Sequence, residues 1–356
     1  MANKNLTKAK SAKNDEFYTQ FAYIQKEINA YLEYNENVFK DKTILLPCDD
    51  PEWSNFTKFF AQNFETFGLK KLISTSYAYK SKNIPNLPNL ITEFEKNSPN
   101  FNEEVTKTRG KLFVLERRPN GSNHLNISNL EWSYLEGDGD FRSEEVKRLR
   151  DEADIIITNP PFSLFREFLA WIVEANKKFV IIGNMNAITY KEVFPLIKDN
   201  KMWLGATGFS TDMVFAVPKG AEVKQSDKEK AERLGYVGDY TRLGNSCWFT
   251  NIEHGRRHQP LELMNKADNL KFNKKIKENG YPKYDNYDAI EVCETKAIPS
   301  DYDGVMGVPI SFLDKYCPEQ FYIKGLDRYV EDNKNYGHRF KINGRETYAR
   351  ILIKRI

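Results

Sequence analysis

Asn159-Pro160-Pro161-Phe162 combines two hydrogen-bond acceptors and an aromatic face in one stiffened turn. The Asn159 side-chain oxygen is the first acceptor. The Pro160 carbonyl is the second, because proline lacks its own N–H but keeps its acceptor. Phe162 offers a flat apolar surface for a planar ring, a contact worth roughly 1–3 kcal/mol per base. Such a set suits an amine whose lone pair is delocalised: both amino protons are accepted, the nitrogen is oriented, and the ring is held beneath an electrophilic carbon. The chemistry it points to is methyl transfer to an exocyclic amine, with adenine N6 foremost. As a bare pattern it is also an ordinary turn, and Ser163 could simply cap a following helix.

The surrounding residues supply the elements that position such a turn. Ala153-Asp154-Ile155-Ile156-Ile157 before it reads as a buried strand. After it, Leu164, Phe165, Phe168, Leu169, Ile172 and Val173 share a helical face, and Phe179-Val180-Ile181-Ile182 reads as a second core strand. The result is a βαβ unit with its turn at the ligand-binding end of a parallel sheet. Farther upstream, Phe17, Phe21, Ile24, Ile28, Tyr31 and Leu32 fit one helix, and residues 43–46 and 71–76 fit strands flanking the helix of Phe56, Phe59, Phe60 and Phe64.

Two further turns are candidates for holding a methyl donor. In Pro47-Cys48-Asp49-Asp50-Pro51, either aspartate could contact the amino group of S-adenosyl-L-methionine. Amides opening the next helix could then donate to the donor's carboxylate. The pair could equally be a helix cap. In Leu135-Glu136-Gly137-Asp138-Gly139-Asp140-Phe141, Asp138 or Asp140 could accept from an adenine amine while Phe141 covers the ring, or the segment is a surface turn. No GxGxxG pattern occurs at the first turn, which argues against a dinucleotide pyrophosphate site.

Taken together, these residues resemble an amino-group DNA methyltransferase of the EcoRI-type adenine-specific family. The matching segments are Asp15-Glu16-Phe17-Tyr18-Thr19-Gln20, Cys48-Asp49-Asp50-Pro51, Asp138-Gly139-Asp140-Phe141, Asn159-Pro160-Pro161-Phe162 and the late stretch from Tyr302 to Pro309. The resemblance spans nearly the whole chain. It implies an α/β, Rossmann-like class I S-adenosylmethionine-dependent methyltransferase with a mixed central sheet and a C-terminal target-recognition region. It also implies cofactor contacts from Phe17, Tyr18, Thr19, Cys48, Asp49, Asp50, Pro51, Asp138, Asp140 and Phe141, and catalysis by Asn159, Pro160, Pro161 and Phe162. Val214-Phe215-Ala216-Val217 would then be a late antiparallel strand finishing the sheet. RNA adenine or protein glutamine as the acceptor, or an inactive DNA-binding regulator, are the alternatives that the motif leaves open.

Charge organises the rest. The chain carries 53 Lys and Arg against 50 Asp and Glu, a net +3, and the excess falls late: residues 1–253 sum to −1 and residues 254–356 to +4. We read 1–14 as a flexible basic tail, 15–253 as the catalytic domain and 254–356 as the target-recognition region. Arg256, Arg257, Arg339, Arg345 and Arg350 suit phosphate or base-edge contacts, and Lys271, Lys274, Lys275 and Lys277 suit phosphate attraction. Mixed charge from Lys219 to Arg233 reads as a solvated loop or helix. The expected partner is double-stranded DNA, approached by a monomer, with a restriction endonuclease as a genetic companion. Four scattered cysteines form neither a disulfide framework nor a zinc pattern, so no metal is expected. No apolar run is long enough to span a bilayer and the polar start is no secretory signal, so the expected location is cytoplasmic.

Overall fold

A computed structural model describes residues 18–78, 100–117, 132–209, 213–217, 223–330 and 337–356. The tail assigned to 1–14, and Phe17, lie outside the described residues. The chain divides into two contact units, one of residues 1–184 with 210–252 and one of residues 185–209 with 253–356. The boundary read at 253/254 follows the chain in one piece. In the structure, residues 185–209 group with the later segment, because loops there bond to residues beyond 253.

The first unit is built on strands β2 (Thr43–Leu46), β3 (Lys71–Thr75), β4 (Lys111–Glu116), β5 (Trp132–Tyr134), β6 (Ile155–Thr158), β7 (Lys178–Asn184) and β11 (Ser246–Thr250). They lie side by side in the order β5-β4-β3-β2-β6-β7-β11. The central four, β3-β2-β6-β7, are parallel. Strands β4 and β5 beyond β3, and β11 beyond β7, run antiparallel to their neighbours. β2 and β6 are buried along their whole length, as parallel strands covered on both faces must be.

Helices α1 (Phe21–Tyr34), α2 (Asn55–Gln62), α3 (Glu103–Thr108), α4 (Glu144–Glu152) and α5 (Phe165–Glu174) belong to this unit. Ile24, Ile28 and Tyr31 of α1 and Phe56, Phe59 and Phe60 of α2 are buried in one core with Ile44, Leu46, Ile155 and Ile157 of the sheet. Phe165 of α5 packs on Gly183 of β7, where any side chain would run into its ring. Here the expected βαβ unit is present. The predicted late strand behaves differently: β9 (Val214–Ala216) pairs with β1 (Tyr18–Thr19) and β10 (Tyr240–Arg242) in a separate three-stranded sheet. The strand of the first unit that pairs antiparallel with β7 is β11. Helix α7 (Gln225–Arg233) fills the described part of the mixed-charge segment.

The second unit contains α6 (Phe194–Lys198), β8 (Trp203–Leu204), α8 (Lys266–Phe272) and α9 (Lys274–Asn279). Its sheet runs β12-β13-β17-β14, from Ile290–Glu291, Met306–Pro309, Arg350–Arg355 and Phe321–Leu326. A hairpin of β15 (Lys341–Ile342) and β16 (Arg345–Glu346) turns through Asn343 and Gly344, both at positive φ. No helix among the described residues is long and apolar enough to cross a membrane.

Candidate active site

The order of strands locates the site. The chain leaves β2 toward β3 on one side, while β6 lies on the other, so the sheet reverses its winding between β2 and β6. In open parallel sheets, ligands bind outside the carboxyl ends of strands at such a reversal. The Cys48-Asp49-Asp50-Pro51 turn follows β2 and Asn159-Pro160-Pro161-Phe162 follows β6. With Ile44 opposite Ile155 and Leu45 opposite Ile156, both turns leave the same edge of the sheet.

One carboxylate joins them. Thr158 Oγ1 donates to Asp49 Oδ2 at 2.6 Å, and Ser54 Oγ donates to Asp49 Oδ1 at 2.6 Å. Thr158 is the residue before Asn159. Ser54 is the N-cap of α2 and accepts from the Phe56 amide at 3.0 Å. The Asp49 backbone is fixed as well, its amide donating to the Thr75 carbonyl at 2.9 Å and its carbonyl accepting from Ser74 Oγ at 2.5 Å. Burial pushes the Asp49 carboxyl up to about 7, against the two hydroxyl donors that favour its charged form.

Asp50 is equally committed. Its Oδ1 accepts from the Glu52 amide at 2.9 Å and its Oδ2 pairs with Lys111 Nζ at 3.2 Å. Lys111 is buried beneath Trp132 and also meets Glu52 at 2.6 Å. Burial raises the Glu52 carboxyl, opposed by that lysine. The oxygens of Asp49 and Asp50, the residues expected at a donor's amino group, build the turn and tie it to β6 and β4.

A third turn sits against the end of β3. The Ala78 amide donates to the Asp138 carbonyl at 2.7 Å, and the Gly110 amide to the Gly137 carbonyl at 3.0 Å. Gly139 has φ of +82°, and any Cβ on it would collide with the Ser76 carbonyl. Asp140 takes a two-pronged ion pair from Arg142, with the closest oxygen at 2.6 Å. Although burial opposes its ionisation, those Arg142 bonds hold the Asp140 carboxyl below its usual range. Phe141 is the residue expected over a ligand ring. It is buried against Phe168 and Trp171 of α5, with centroids 5.1 and 5.6 Å away, because the helix needs an apolar partner there.

In the acceptor turn, Pro160 is buried and Asn159, Pro161 and Phe162 are half-buried. Phe162 packs partly on the main core and opens a single 3₁₀ turn over Phe162–Leu164, closed by the Leu164 amide on the Pro161 carbonyl at 2.9 Å. Helix α5 then begins after Leu164, which makes no side-chain cap, so Ser163 is not its cap. Cys48 is half-buried and Pro51 buried. On β1, Tyr18 is exposed and Thr19 is buried; the Thr19 carbonyl accepts from Asn55 Nδ2 at 2.8 Å at the start of α2. Thr19 Oγ1 is buried with no hydrogen-bond partner among the described residues. Sequence reasoning missed Thr158, Ser54 and Lys111, although a threonine closing an isoleucine run and a serine two residues before a phenylalanine face were visible.

The basic candidates separate sharply. Arg257 is buried, stacked 4.0 Å over Trp203, with Nη2 on Asn200 at 2.7 Å and Nη1 on Glu253 at 3.3 Å. Arg256 pairs with Asp314 at 2.6 Å and with the Ala206 carbonyl at 3.0 Å. Arg339 pairs with the buried Asp327 at 3.2 Å, and Arg350 with Glu291 at 2.6 Å. These four, expected at phosphates or bases, each pair with an acid of the second unit. Lys274 and Arg345 are exposed, and Lys275 is 62% exposed beside Glu294 at 3.4 Å.

The family model described as adenine-specific methyltransferase EcoRI matches residues 5–356. The chain belongs to that adenine-specific methyltransferase family. Within it, the chain is 43% identical to the type II methyltransferase M.EcoRI of Escherichia coli over 353 residues, covering 99% of this chain and 96% of that protein. It is 32% identical to M.MgeORF184P of Mycoplasma genitalium and 31% to M.MpnI of Mycoplasma pneumoniae, both type II methyltransferases, over at least 97% of each relative and 98% of this chain. No solved structure matches this member of the adenine-specific methyltransferase family.

Proposed function

We propose that this protein transfers a methyl group from S-adenosyl-L-methionine to N6 of an adenine in double-stranded DNA, on a Rossmann-like class I methyltransferase sheet. The observation that carries the reading is the Asp49–Thr158 hydrogen bond, which joins the turn after β2 to the acceptor turn after β6 at the reversal of the sheet. The buried Thr19 hydroxyl, the start of α2 and the half-buried Cys48 and Asp138 fit a polar ligand in front of β2, and we assign the donor to them. When bound, the donor supplies an electrophilic sulfonium methyl.

The protein's own residues do the rest. A target base that leaves the duplex loses a few kcal/mol of stacking and pairing, which the Phe162 face offsets in part. The Asn159 amide oxygen and the Pro160 carbonyl accept hydrogen bonds from the two amino N–H groups. As N6 gains positive charge on attack, these oriented dipoles stabilise the transition state more than the ground state. The proton then departs to solvent, and no covalent enzyme intermediate is involved. We place target recognition in the second unit, with Lys274, Lys275 and Arg345 at phosphates. The type II designation of the relatives supports reading the protein as the modification half of a restriction pair.

The test is incubation of the full chain and the labelled donor with randomised duplexes, matched RNA and candidate protein acceptors, followed by mapping of N6-methyladenine. Methylation confined to one duplex sequence is expected. Methylated RNA or protein without methylated duplex would overturn the substrate, and absence of saturable donor binding would overturn the enzymatic reading.

A further inference from the structure

The corner between α8 and α9 exposes what a folded protein ordinarily hides. Phe272 is 65% exposed and Leu270 is 45% exposed. Residues 271–277 carry Lys271, Lys274, Lys275 and Lys277 and no acid, and all four lysines are exposed. Scattered apolar residues on a surface need no explanation, but an apolar ring fixed inside a cluster of cations does.

The corner is rigidly built from beneath. Asn273, the one residue between the helices, is buried. Its amide donates to the Asn269 carbonyl at 2.9 Å, and its Oδ1 caps α9 by accepting from the Lys275 and Ile276 amides at 3.0 and 3.2 Å. Its Nδ2 donates to Glu294 at 2.6 Å. Asn269 and Ile276 are fully buried on the inner side. The chain therefore presents Phe272 outward in a fixed position, with Lys271 Nζ 4.9 Å from its ring.

We infer that this corner is a contact surface for duplex DNA, with Lys271, Lys274 and Lys275 on phosphates and Phe272 against sugar and base edges. Alternating cation and apolar ring match a partner that presents anions around flat apolar groups, and apolar side chains serve as wedges in other DNA complexes. A second copy of this chain is a poor occupant, because a two-fold contact would set the same lysines against each other. The inference rests on the proposed substrate. It assigns the contact to exposed lysines and an exposed ring, whereas Arg257 is buried and Arg256 and Arg339 are ion-paired.

The full-length Phe272→Ala and Lys274→Gln/Lys275→Gln proteins, with folding checked by circular dichroism, are compared with the parent for methylation and equilibrium binding of duplex DNA across salt concentrations. Phe272→Ala is expected to weaken duplex binding by about five- to twentyfold with an unchanged salt slope. The lysine double variant is expected to lower the slope of log affinity against log salt by about two, near 0.9 per phosphate contact. Parental duplex affinity and slope in both variants would overturn the assignment. So would Phe272-dependent sedimentation with phosphatidylserine vesicles alongside unaltered DNA binding, which would make the surface a membrane contact. A parent that binds donor but methylates no duplex overturns the proposed function itself, a result distinct from either.

Discussion

At the scale of single residues, the acceptor turn divides labour between groups that meet the substrate and groups that hold them. Asn159 belongs to the first kind. Asn159→Ala removes an oriented acceptor for the developing charge and is expected to lower methyl transfer by about 10²–10³-fold. Donor affinity, measured by titration, should stay within twofold; an equal loss of both would make Asn159 a cofactor residue. Thr158 belongs to the second kind. Thr158→Val keeps shape but removes the donor to Asp49, so kcat is expected to fall about tenfold or more while KM for DNA holds, since small displacements of a positioned group are costly. Thr158→Ser keeps the hydroxyl and should restore kcat. Failure of that rescue would show that packing, rather than the hydrogen bond, positions Asn159.

At the scale of elements, the turn after β2 is held by a carboxylate in an apolar setting, and that gives it a pH signature. Burial raises the Asp49 carboxyl from its ordinary value to about 7. The stability this group contributes is complete below about pH 4 and is lost as pH rises through about 7, because the unfolded chain gives up the proton first. Urea unfolding at a series of pH values should therefore show the advantage of the parent over Asp49→Asn shrinking between about pH 4 and 7. A constant advantage would mean that the carboxyl titrates normally. The turn against β3 makes a second prediction: Gly139→Ala is expected to cost about 1–3 kcal/mol for the left-handed backbone alone, with the Ser76 collision added. These elements also show what was legible in the sequence. β2, β6, α5 and β7 are long apolar or periodic runs, and they lie within a few residues of where pattern puts them. β9 was misplaced because a short apolar run looks the same whether it joins the main sheet or another one. The link through Thr158 was invisible because its two ends are 109 residues apart.

At the scale of the whole molecule, net charge says little until each cation is sorted by its partner. The late excess of +4 is real, yet many of its arginines neutralise buried or half-buried acids within the second unit. Arginine favours such places because its planar fork bonds several acceptors at once and stacks on rings, whereas the compact, strongly hydrated lysine head stays at the surface. Arg257 shows the consequence. Removing it strips the cation from Trp203 and takes one donor from Asn200 and one from Glu253, which retain Tyr316 Oη and His258 Nε2. The loss should fall below the roughly 3–5 kcal/mol of a fully buried pair, because Glu253 is 43% exposed; about 1–3 kcal/mol is expected. Arg257→Ala should thus lower the midpoint of thermal unfolding while leaving the salt slope of duplex binding at its parental value, measured below that midpoint. The Lys274/Lys275 variant should do the reverse. A reduced salt slope in Arg257→Ala would place that guanidinium at a phosphate and require the Trp203 stack to open when DNA binds.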